Sequence, residues 1–393
     1  MNIGCVTRHT YPTDQEIRVT KFAATLHSHG HEFIVFCPRD EMQVSLDFFK
    51  YGRIIRLKSP TAGRIGKLLV APLPINPVWA WWLCRQFREN SIDLVIVRDL
   101  RLALPVFFAA RAYGIKAILD LGEHYPGMME ILGKQKLSHF ITRNNYLITL
   151  LEILSVKVAD MVWVVVEENK SRLEKYAKHI EVINNFPDIA SSTTPQLPET
   201  CPYSETGKPI TLISLGMIDN IRGLDLAIDA FALLIKEFNN LQLKIYGDGF
   251  FRETLEKQVA MLGLQGKVMF CGWLSENKKY DALTEGDIGL LLHKVCNLTH
   301  HTIPNKLFDY MYVGLPIVAT RLRPVVRIVE SIKCGIAVDD EPSSVARGIK
   351  NLILDVDKRK KFSENGYLMV RKNFTWDREE IKIIQNIRTL AKI

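Results

Sequence analysis

Residues 210–231, "ITLISLGMIDNIRGLDLAIDAF", pass from a β-strand pattern through a loop bounded by glycines into an amphipathic helix pattern. The apolar run ends at Gly216, the loop ends at Gly223, and apolar residues then recur at helical spacing. Free backbone N–H groups at a helix start favour negative charge, and Arg222 adds a guanidinium there. This pattern predicts an anion pocket, whereas the alternative is an ordinary βα turn whose glycines only close the loop. A second turn, "GDG" at 247–249, is open to the same two interpretations.

Strand and helix patterns alternate on both sides of this segment. The other strand-like runs are "NIGCV", "EFIVFC", "IIRL", "DLVIVR", "KAILDL" and "MVWVVV" before it, and "LQLKIYGDG", "KVMFCG", "IGLLLH" and "PIVAT" after it. Strands that alternate with helices of ten or more residues predict βαβ units and parallel sheets. Residues 186–209 are rich in Pro, Ser and Thr, which is the composition of a linker.

The chain is therefore predicted to be an α/β protein of two doubly wound, Rossmann-like domains, because 393 residues exceed one typical core. We expect the domains to span residues 1–190 and 205–375, with a C-terminal helix at about 376–393 that packs back on the first domain. Ligands of doubly wound folds bind outside the carboxyl ends of the strands. We accordingly expect the two domains to face each other across a cleft.

Composition restricts the class of protein. Hydrophobic residues make up 47% of the chain and charged residues 24%, which is typical of a folded globular protein. The seven cysteines are scattered and include no CxxC pair, which predicts buried thiols in a reducing compartment rather than disulfides or a zinc site. The N-terminal residues lack the charged and apolar regions of a signal peptide, so we expect a cytoplasmic protein.

Residues 50–116 are strongly basic and contain the aromatic stretch "VWAWWLCRQF". This segment holds 12 Lys or Arg and only three acidic residues. Basic residues beside aromatic ones predict peripheral contact with the anionic inner face of the cell membrane. The alternative is a solvated basic face over a Trp-rich core helix, and no nucleic-acid motif accompanies the charge. The longest uncharged run, 68–84, contains three prolines and predicts no spanning helix.

The stretch "HHTIPNKLFDYMYVGLPIVAT", residues 300–320, predicts a helix of about three turns that begins near Pro304 and ends at Gly314. Lys306 in the first turn opposes the helix dipole unless an anion binds there. Asp309 follows one turn later on the same face. A cation followed by a carboxylate suits a diphosphate and the vicinal diol of a ribose. The alternative is a surface ion pair between the two side chains.

This stretch resembles the donor-site signature of glycosyltransferase family 4, the retaining enzymes of GT-B fold that use nucleotide sugars. The resemblance continues, in family order, through "VINNFPD", "LISLGMIDNIRGLDLAIDAF", "LKIYGDGFFRETLEKQVAMLGLQGKVMFCGWL" and "NFTWD". It therefore covers nearly the whole chain. The resemblance implies a GT-B fold with an N-terminal acceptor-binding domain and a C-terminal nucleotide-sugar-binding domain.

The resemblance also implies roles for individual residues. Asp309 stands where the family holds the ribose, Arg222 where it binds the donor diphosphate, and residues 271–273 where the base pocket forms. The implied donor-site residues are Gly216, Arg222, Gly223, Gly247, Cys271, Gly272, Trp273, His301, Ile303, Pro304, Asn305, Lys306 and Asp309. Because Arg222 and Lys306 neutralise the phosphates of the leaving nucleotide, neither a metal ion nor another cofactor is expected.

Three positions depart from the family pattern. Met217 stands where an Arg often contacts phosphate, and His301 stands where an acid often contacts the sugar. Gly122 stands where a His often meets the donor sugar. The missing Arg leaves Arg222 with more of the phosphate binding. His300 and His301 are candidate donors to sugar hydroxyls, and the alternative is that they are solvated loop histidines.

The N-terminal domain carries the remaining candidates. The resemblance and the position after a strand end place Asp14, Arg18 and Asp120 on the acceptor or phosphate side, although Arg18 alternatively is a helix-surface charge. Either Glu123 or His124 is the candidate for acceptor deprotonation. No enzyme nucleophile is required if the acceptor attacks on the same face from which the phosphate leaves.

These features predict a retaining glycosyltransferase that moves a hexose or N-acetylhexosamine from a nucleoside diphosphate sugar, with UDP favoured. The basic segment suggests a lipid-diphosphate-linked acceptor of the kind used in bacterial surface polysaccharide assembly, such as lipopolysaccharide or capsule. Two alternatives remain open: a UDP-sugar epimerase, and a non-catalytic GT-B partner or regulatory protein.

Overall fold

The computed structural model describes residues 1–13, 16–40, 43–59, 66, 70–132, 144–188 and 209–391. The chain divides into two compact units. Unit 1 comprises Met1–Asn185 and Glu379–Ile393, and unit 2 comprises Phe186–Arg378. Residues 189–208 of the predicted linker, and with them the domain boundaries at 190 and 205, lie outside the described residues.

Unit 1 is built on an eight-stranded sheet. Its strands are β1 (Asn2–Val6), β2 (Glu32–Pro38), β3 (Leu46–Phe49), β4 (Gly52–Leu57), β5 (Leu94–Val97), β6 (Lys116–Leu121), β7 (Met161–Val164) and β8 (Ile180–Val182). The strand order is β3-β4-β2-β1-β5-β6-β7-β8. All neighbours are parallel except β3 and β4. The central strands β5 and β7 are buried along their whole length, as expected for a sheet covered on both faces.

Helices connect these strands. The helices of the first part of the chain are α1 (Ile17–Ser28), α2 (Pro77–Glu89), α3 (Ala103–Ala112), α4 (Tyr125–Leu132), α5 (Asn145–Val158) and α6 (Glu167–Leu173). Helix α2 begins at Pro77 because the Asn76 side chain accepts hydrogen bonds from the Val78 and Trp79 amides, and proline fits the first helical position.

Unit 2 repeats the architecture with a wholly parallel sheet. Its strands are β9 (Ile210–Leu215), β10 (Leu241–Tyr246), β11 (Val268–Gly272), β12 (Ile288–Leu291), β13 (Ile317–Thr320) and β14 (Gly335–Val338). The order is β11-β10-β9-β12-β13-β14, with all pairs parallel. The chain order reverses between β9 and β12, which is the switch point where ligands bind in such sheets.

The helices of unit 2 pack on both faces of this sheet. They are α7 (Leu224–Leu234), α8 (Arg252–Met261), α9 (Glu276–Thr284), α10 (Lys306–Tyr312), α11 (Arg323–Ile332), α12 (Pro342–Leu354) and α13 (Val356–Asn373). The last helix, α14 (Trp376–Ala391), begins at the end of unit 2 and lies mostly in unit 1. Its Glu379 accepts a hydrogen bond from the amide of Asn184, and Lys382 donates to the Val182 carbonyl.

Three sequence expectations need correction. The antiparallel strand β3 was not predicted, because its residues alternate in exposure at a sheet edge and form no continuous apolar run. Helix α10 begins near Pro304 as predicted, at Lys306, but its seven residues make two turns rather than three. The six cysteines within the described ranges are free, but Cys271 is exposed rather than buried.

The Trp-rich segment is mainly a core element. Trp79 and Phe87 of α2 are fully buried, and Trp79 donates its indole N–H to the Val70 carbonyl. Arg56 is buried against Asp47, so its charge is already compensated. The count of basic residues therefore overstated the exposed positive surface, and Trp81 is the residue of this helix whose ring is well exposed, at 68%. In the described part of the chain, no helix is long and apolar enough to cross a membrane.

Candidate functional site

Three glycine turns meet at the carboxyl ends of β9, β10 and β11. The Gly216 amide donates to the Tyr246 carbonyl at 2.9 Å, and the Gly247 amide donates to the Gly272 carbonyl at 2.7 Å. All three glycines have positive φ, at 121° for Gly216, 141° for Gly247 and 72° for Gly272. A Cβ at Gly247 would collide with the Gly216 carbonyl oxygen. At Gly247 the backbone approach to Gly216 is therefore one that only glycine permits.

The loop that joins Gly216 to Gly223 is held by its own hydrogen bonds. The Asp219 carboxylate accepts from the Ile221 amide at 2.9 Å and the Arg222 amide at 3.0 Å. The Lys294 amide donates to the Ile221 carbonyl at 2.8 Å, which ties the loop to the residues after β12. Gly223 has φ 65°, and a Cβ there would collide with the Leu292 carbonyl oxygen. Arg222 thus projects from a rigid loop.

The Arg222 guanidinium lies against His293, a residue that the sequence analysis missed. Nη1 of Arg222 is 3.3 Å from Nε2 of His293, and Nε is 3.4 Å from the Asp219 carboxylate. His293 is only 3% exposed. Burial, followed by the charges of Lys306 and Arg222, lowers the pKa of His293 well below its usual value. A neutral imidazole that accepts through Nε2 carries its proton on Nδ1. The sequence did contain a signal that could have identified His293, because it is a polar residue directly after the apolar strand "IGLLL" and ligands bind at such strand ends.

Lys306 is the most unusual group of the site. Its side chain is 7% exposed, and burial together with nearby Arg222 lowers the pKa of Lys306 to about 7. Among the described residues, no carboxylate lies within 4 Å of its ammonium. The ammonium runs beside Gly216, 3.9 Å from where a Cβ would be. A buried cation without a close acid is unfavourable, and an anion bound at the glycine turn relieves that cost.

Asp309 lies one turn further along α10, and it is also buried. Its carboxylate pairs with Lys279 at 3.1 Å and accepts from the Tyr280 hydroxyl at 3.3 Å, both from α9. The surface pair between Lys306 and Asp309 is thus not formed. Tyr310 helps to place α10, since its hydroxyl accepts from the Leu215 amide at 3.0 Å and donates to the Leu290 carbonyl at 3.2 Å.

The other predicted donor residues lie around this cluster with different exposures. Trp273 is exposed after β11, while Ile303 packs against the apolar core. Pro304 is buried and Asn305 is exposed at the start of α10. His301 lies before these residues in a short 3₁₀ turn, where its Nδ1 is 2.8 Å from the Asn297 carbonyl oxygen.

The predicted acceptor residues of unit 1 are arranged differently from the expectation. Arg18 is buried, so the helix-surface interpretation is wrong. Its Nε and Nη2 donate to the carboxylate of fully buried Asp120 at 3.0 and 2.8 Å. The two side chains satisfy each other, which leaves little capacity for an acceptor phosphate. Asp14 lies outside the described residues.

The two candidate bases differ in access. His124 is buried, and its Nδ1 accepts from the Gly127 amide at 3.1 Å in the first turn of α4. Glu123 is exposed after β6. Of the pair, Glu123 is the side chain that solvent and a substrate can reach. Within the described ranges, no group of three or more His, Cys, Asp or Glu is placed to hold a metal ion.

When the chain is compared with known proteins, two family models match it. The model for glycosyl transferases group 1 matches residues 202–369, and the model for glycosyltransferase family 4 matches residues 15–191. The lipopolysaccharide core biosynthesis glycosyltransferase LpsD of Rhizobium meliloti is 25% identical over 297 residues, which is 75% of each chain.

Two solved structures are similar over nearly the whole chain. Sucrose-phosphate synthase from Thermosynechococcus elongatus superposes with a TM-score of 0.78 at 15% identity, covering 99% of this chain and 98% of that one. HepE from Anabaena in complex with UDP superposes with a TM-score of 0.72 at 16% identity, covering 99% and 100%. The fold is thus of the GT-B class, as the sequence predicted.

The buried charge of Lys306 leads to a stability prediction. Between pH 7 and 10 the unfolded chain holds a proton that folded Lys306 releases, so the free energy of unfolding of unit 2 rises with pH. We expect Lys306→Met to raise this free energy by about 1–4 kcal/mol at pH 6 and to reduce the pH dependence. Urea denaturation at pH 6 and 9 measures both effects. Lys257→Met, at an exposed lysine of α8, is the control, and equal pH slopes in wild type and Lys306→Met would contradict the assignment.

Proposed function

Because this chain belongs to glycosyltransferase family 4, we propose that it transfers a hexose or N-acetylhexosamine from a UDP-sugar to a glycan hydroxyl with retention of configuration. The observation that carries the donor site is the buried ammonium of Lys306 without a close carboxylate, beside the Gly216 turn. The charges of Arg222 and Asp309 both act on this ammonium, and Asp309 lies one helical turn further along α10. Cation, guanidinium and carboxylate match a diphosphate followed by a ribose.

The electrostatics of this site suit a leaving nucleoside diphosphate. Arg222 and Lys306 are fixed in place before the ligand binds, so their charges stabilise the negative charge that develops on the phosphate. Neutral His293 accepts from Arg222 without a negative charge that would compete with the phosphate for the guanidinium. Asp309 exchanges its hydrogen bond with Tyr280, or its pairing with Lys279, for the ribose hydroxyls. UDP is favoured because HepE, a protein of similar fold, has been solved with UDP.

The transfer itself requires few further groups. In the proposed mechanism the acceptor hydroxyl attacks from the face that the phosphate leaves, and the leaving phosphate takes the hydroxyl proton. Exposed Glu123 is the candidate to assist this deprotonation, since His124 is buried and engaged with the start of α4. The acceptor is proposed to be a lipid-linked or growing glycan, in line with the similarity to LpsD of lipopolysaccharide core biosynthesis.

Two substitutions separate phosphate binding from ribose binding. Arg222→Gln removes a phosphate donor, so we expect at least a tenfold loss of affinity for both UDP and inorganic pyrophosphate. Asp309→Asn removes the ribose carboxylate and is expected to weaken UDP about tenfold while leaving pyrophosphate affinity nearly unchanged. Isothermal titration calorimetry measures both ligands, with Lys257→Gln as the control. Unchanged UDP affinity in both site variants would overturn the proposed donor site.

Turnover distinguishes the enzyme from its rivals. The wild-type protein is incubated with UDP-glucose, UDP-galactose or UDP-N-acetylglucosamine and with bacterial membranes as the acceptor source. The sugar of each donor carries a radioactive label, and we expect this label to pass from one donor to a glycolipid. NMR of the product is expected to show an α-linkage, as in the α-linked donor. Isomerised UDP-sugar without any acceptor would indicate an epimerase. Tight UDP binding without turnover of any sugar would indicate a non-catalytic partner.

We propose that the protein contacts the membrane through a smaller surface than the whole basic segment 50–116, namely the exposed side of α2. Trp81 is exposed, Ile75 just before the helix is 86% exposed, and Arg88 is exposed on the same helix. We expect the double variant Trp81→Ser with Arg88→Glu to lower binding to anionic vesicles at least tenfold, since each basic charge near the surface contributes about 1 kcal/mol. Flotation with phosphatidylglycerol vesicles measures this, with Lys257→Glu as the matched charge control. Equal flotation of all three proteins would exclude α2 from the contact surface.

A further inference from the structure

Arg98 is a second basic residue at a strand end, in unit 1, to which no role has been assigned. It follows β5 directly, and its amide donates to the Val6 carbonyl of β1 at 2.9 Å. Its side chain is 16% exposed, with Nε 3.3 Å from the Asp120 carboxylate and 3.8 Å from that of Glu16. Both acids contact the guanidinium at Nε.

The Nη groups lie at Gly122, immediately after β6. A Cβ at this position would be 2.7 Å from Nη2 and closer still to Nη1. Glycine here is thus a condition for the observed position of the guanidinium. Gly122 was the departure from the family pattern at which relatives often place a histidine, and the space of that side chain is occupied by Arg98.

The Nη groups of Arg98 carry N–H donors that form no hydrogen bond with the described residues. Within the described residues, the Arg98 side chain forms ion contacts with the two acids but no hydrogen bond of good geometry. The Asp120 carboxylate already accepts three hydrogen bonds from Arg18, and Glu16 accepts from the Thr7 hydroxyl at 2.7 Å. A partly buried guanidinium with unused N–H groups matches a phosphate, which accepts two parallel hydrogen bonds.

Other basic side chains face the same edge of the sheet. Arg8 and His9 follow β1, and Arg8 is paired with Asp99 at 2.7 Å. Burial and the charge of Arg8 lower the pKa of His9, with smaller contributions from Arg98 and Arg101, while Asp99 acts in the opposite direction. The charges of Arg8, Arg98 and Arg101 thus all contribute to the lowered pKa of His9.

We propose that the Nη groups of Arg98 form a phosphate-binding site in unit 1, which takes a phosphate ester or diphosphate of the acceptor. The site rests on the proposed transfer function, since Arg222 and Lys306 already account for the donor diphosphate. It replaces Arg18 in the role that the sequence assigned to that residue. Gly122 is a positioning element of this site because it leaves room for the guanidinium.

The test separates the two phosphate sites by saturating the protein with UDP first. Inorganic pyrophosphate and geranyl diphosphate, a short polyprenyl diphosphate, are then titrated by calorimetry. Two variants are compared with wild type: Arg98→Lys, which keeps the charge over Asp120 and Glu16, and Gly122→Ala, which displaces the guanidinium without deleting it. Arg111→Lys, at an exposed position of α3, is the control.

We expect wild type and Arg111→Lys to bind both probes in the presence of UDP, and the two site variants to lose at least tenfold in affinity. Stronger binding of geranyl diphosphate than of pyrophosphate would support a lipid-linked acceptor, whereas equal binding would support recognition of the phosphate alone. No binding by UDP-saturated wild type, or unchanged binding in both site variants, would overturn the proposal. If UDP itself fails to bind, the proposed donor function fails, and the Arg98 comparison is repeated without UDP in the Arg222→Gln background.

Discussion

The ammonium of Lys306, buried beside the glycine turn at Gly216, is the constraint around which unit 2 is organised. A buried lysine of this kind costs free energy, and the nearby Arg222 adds repulsion. The chain nevertheless holds both groups with rigid supports: Asp219 fastens the loop, and Tyr310 fastens α10 to two neighbouring strands. An anion bound between the two cations would offset their repulsion, which is why we propose that a diphosphate binds there. His293 remains uncharged because it is enclosed with them.

In unit 1, by contrast, the buried charges are paired with opposite charges. Arg18 and Asp120 neutralise each other, and Arg56 is compensated by Asp47. Arg98 is the exception at the carboxyl edge, since it is held by acids at Nε but leaves its Nη groups towards Gly122. The two units share an architecture of parallel strands but hold these cations differently. Lys306 has no carboxylate within 4 Å among the described residues, whereas the charge of Arg98 is compensated by Asp120 and Glu16.

The sequence led to the proposed donor site because its residues are local in the chain. Gly216, Arg222 and Gly223 lie in one βα loop, and Lys306 and Asp309 lie one turn apart. His293 and Arg98 escaped notice because each follows an apolar strand as a single polar residue, and only strand order shows what lies next to it. Arg18 was misjudged for a related reason. A basic residue at the start of an amphipathic helix reads as a surface charge until its partner, about a hundred residues away, is known.

By itself the sequence determined the α/β class, the alternation of strands and helices, and the glycine turns, because strand period, helix period and backbone freedom are properties of neighbouring residues. It also determined which residues carry the family pattern. Only the tertiary structure decided which charges are compensated. Three contacts join elements that are distant in sequence. Arg18 pairs with Asp120, Asp309 pairs with Lys279, and Arg98 lies against Gly122. Burial and separation set the strength of such interactions, and both quantities exist only once the sheets have formed.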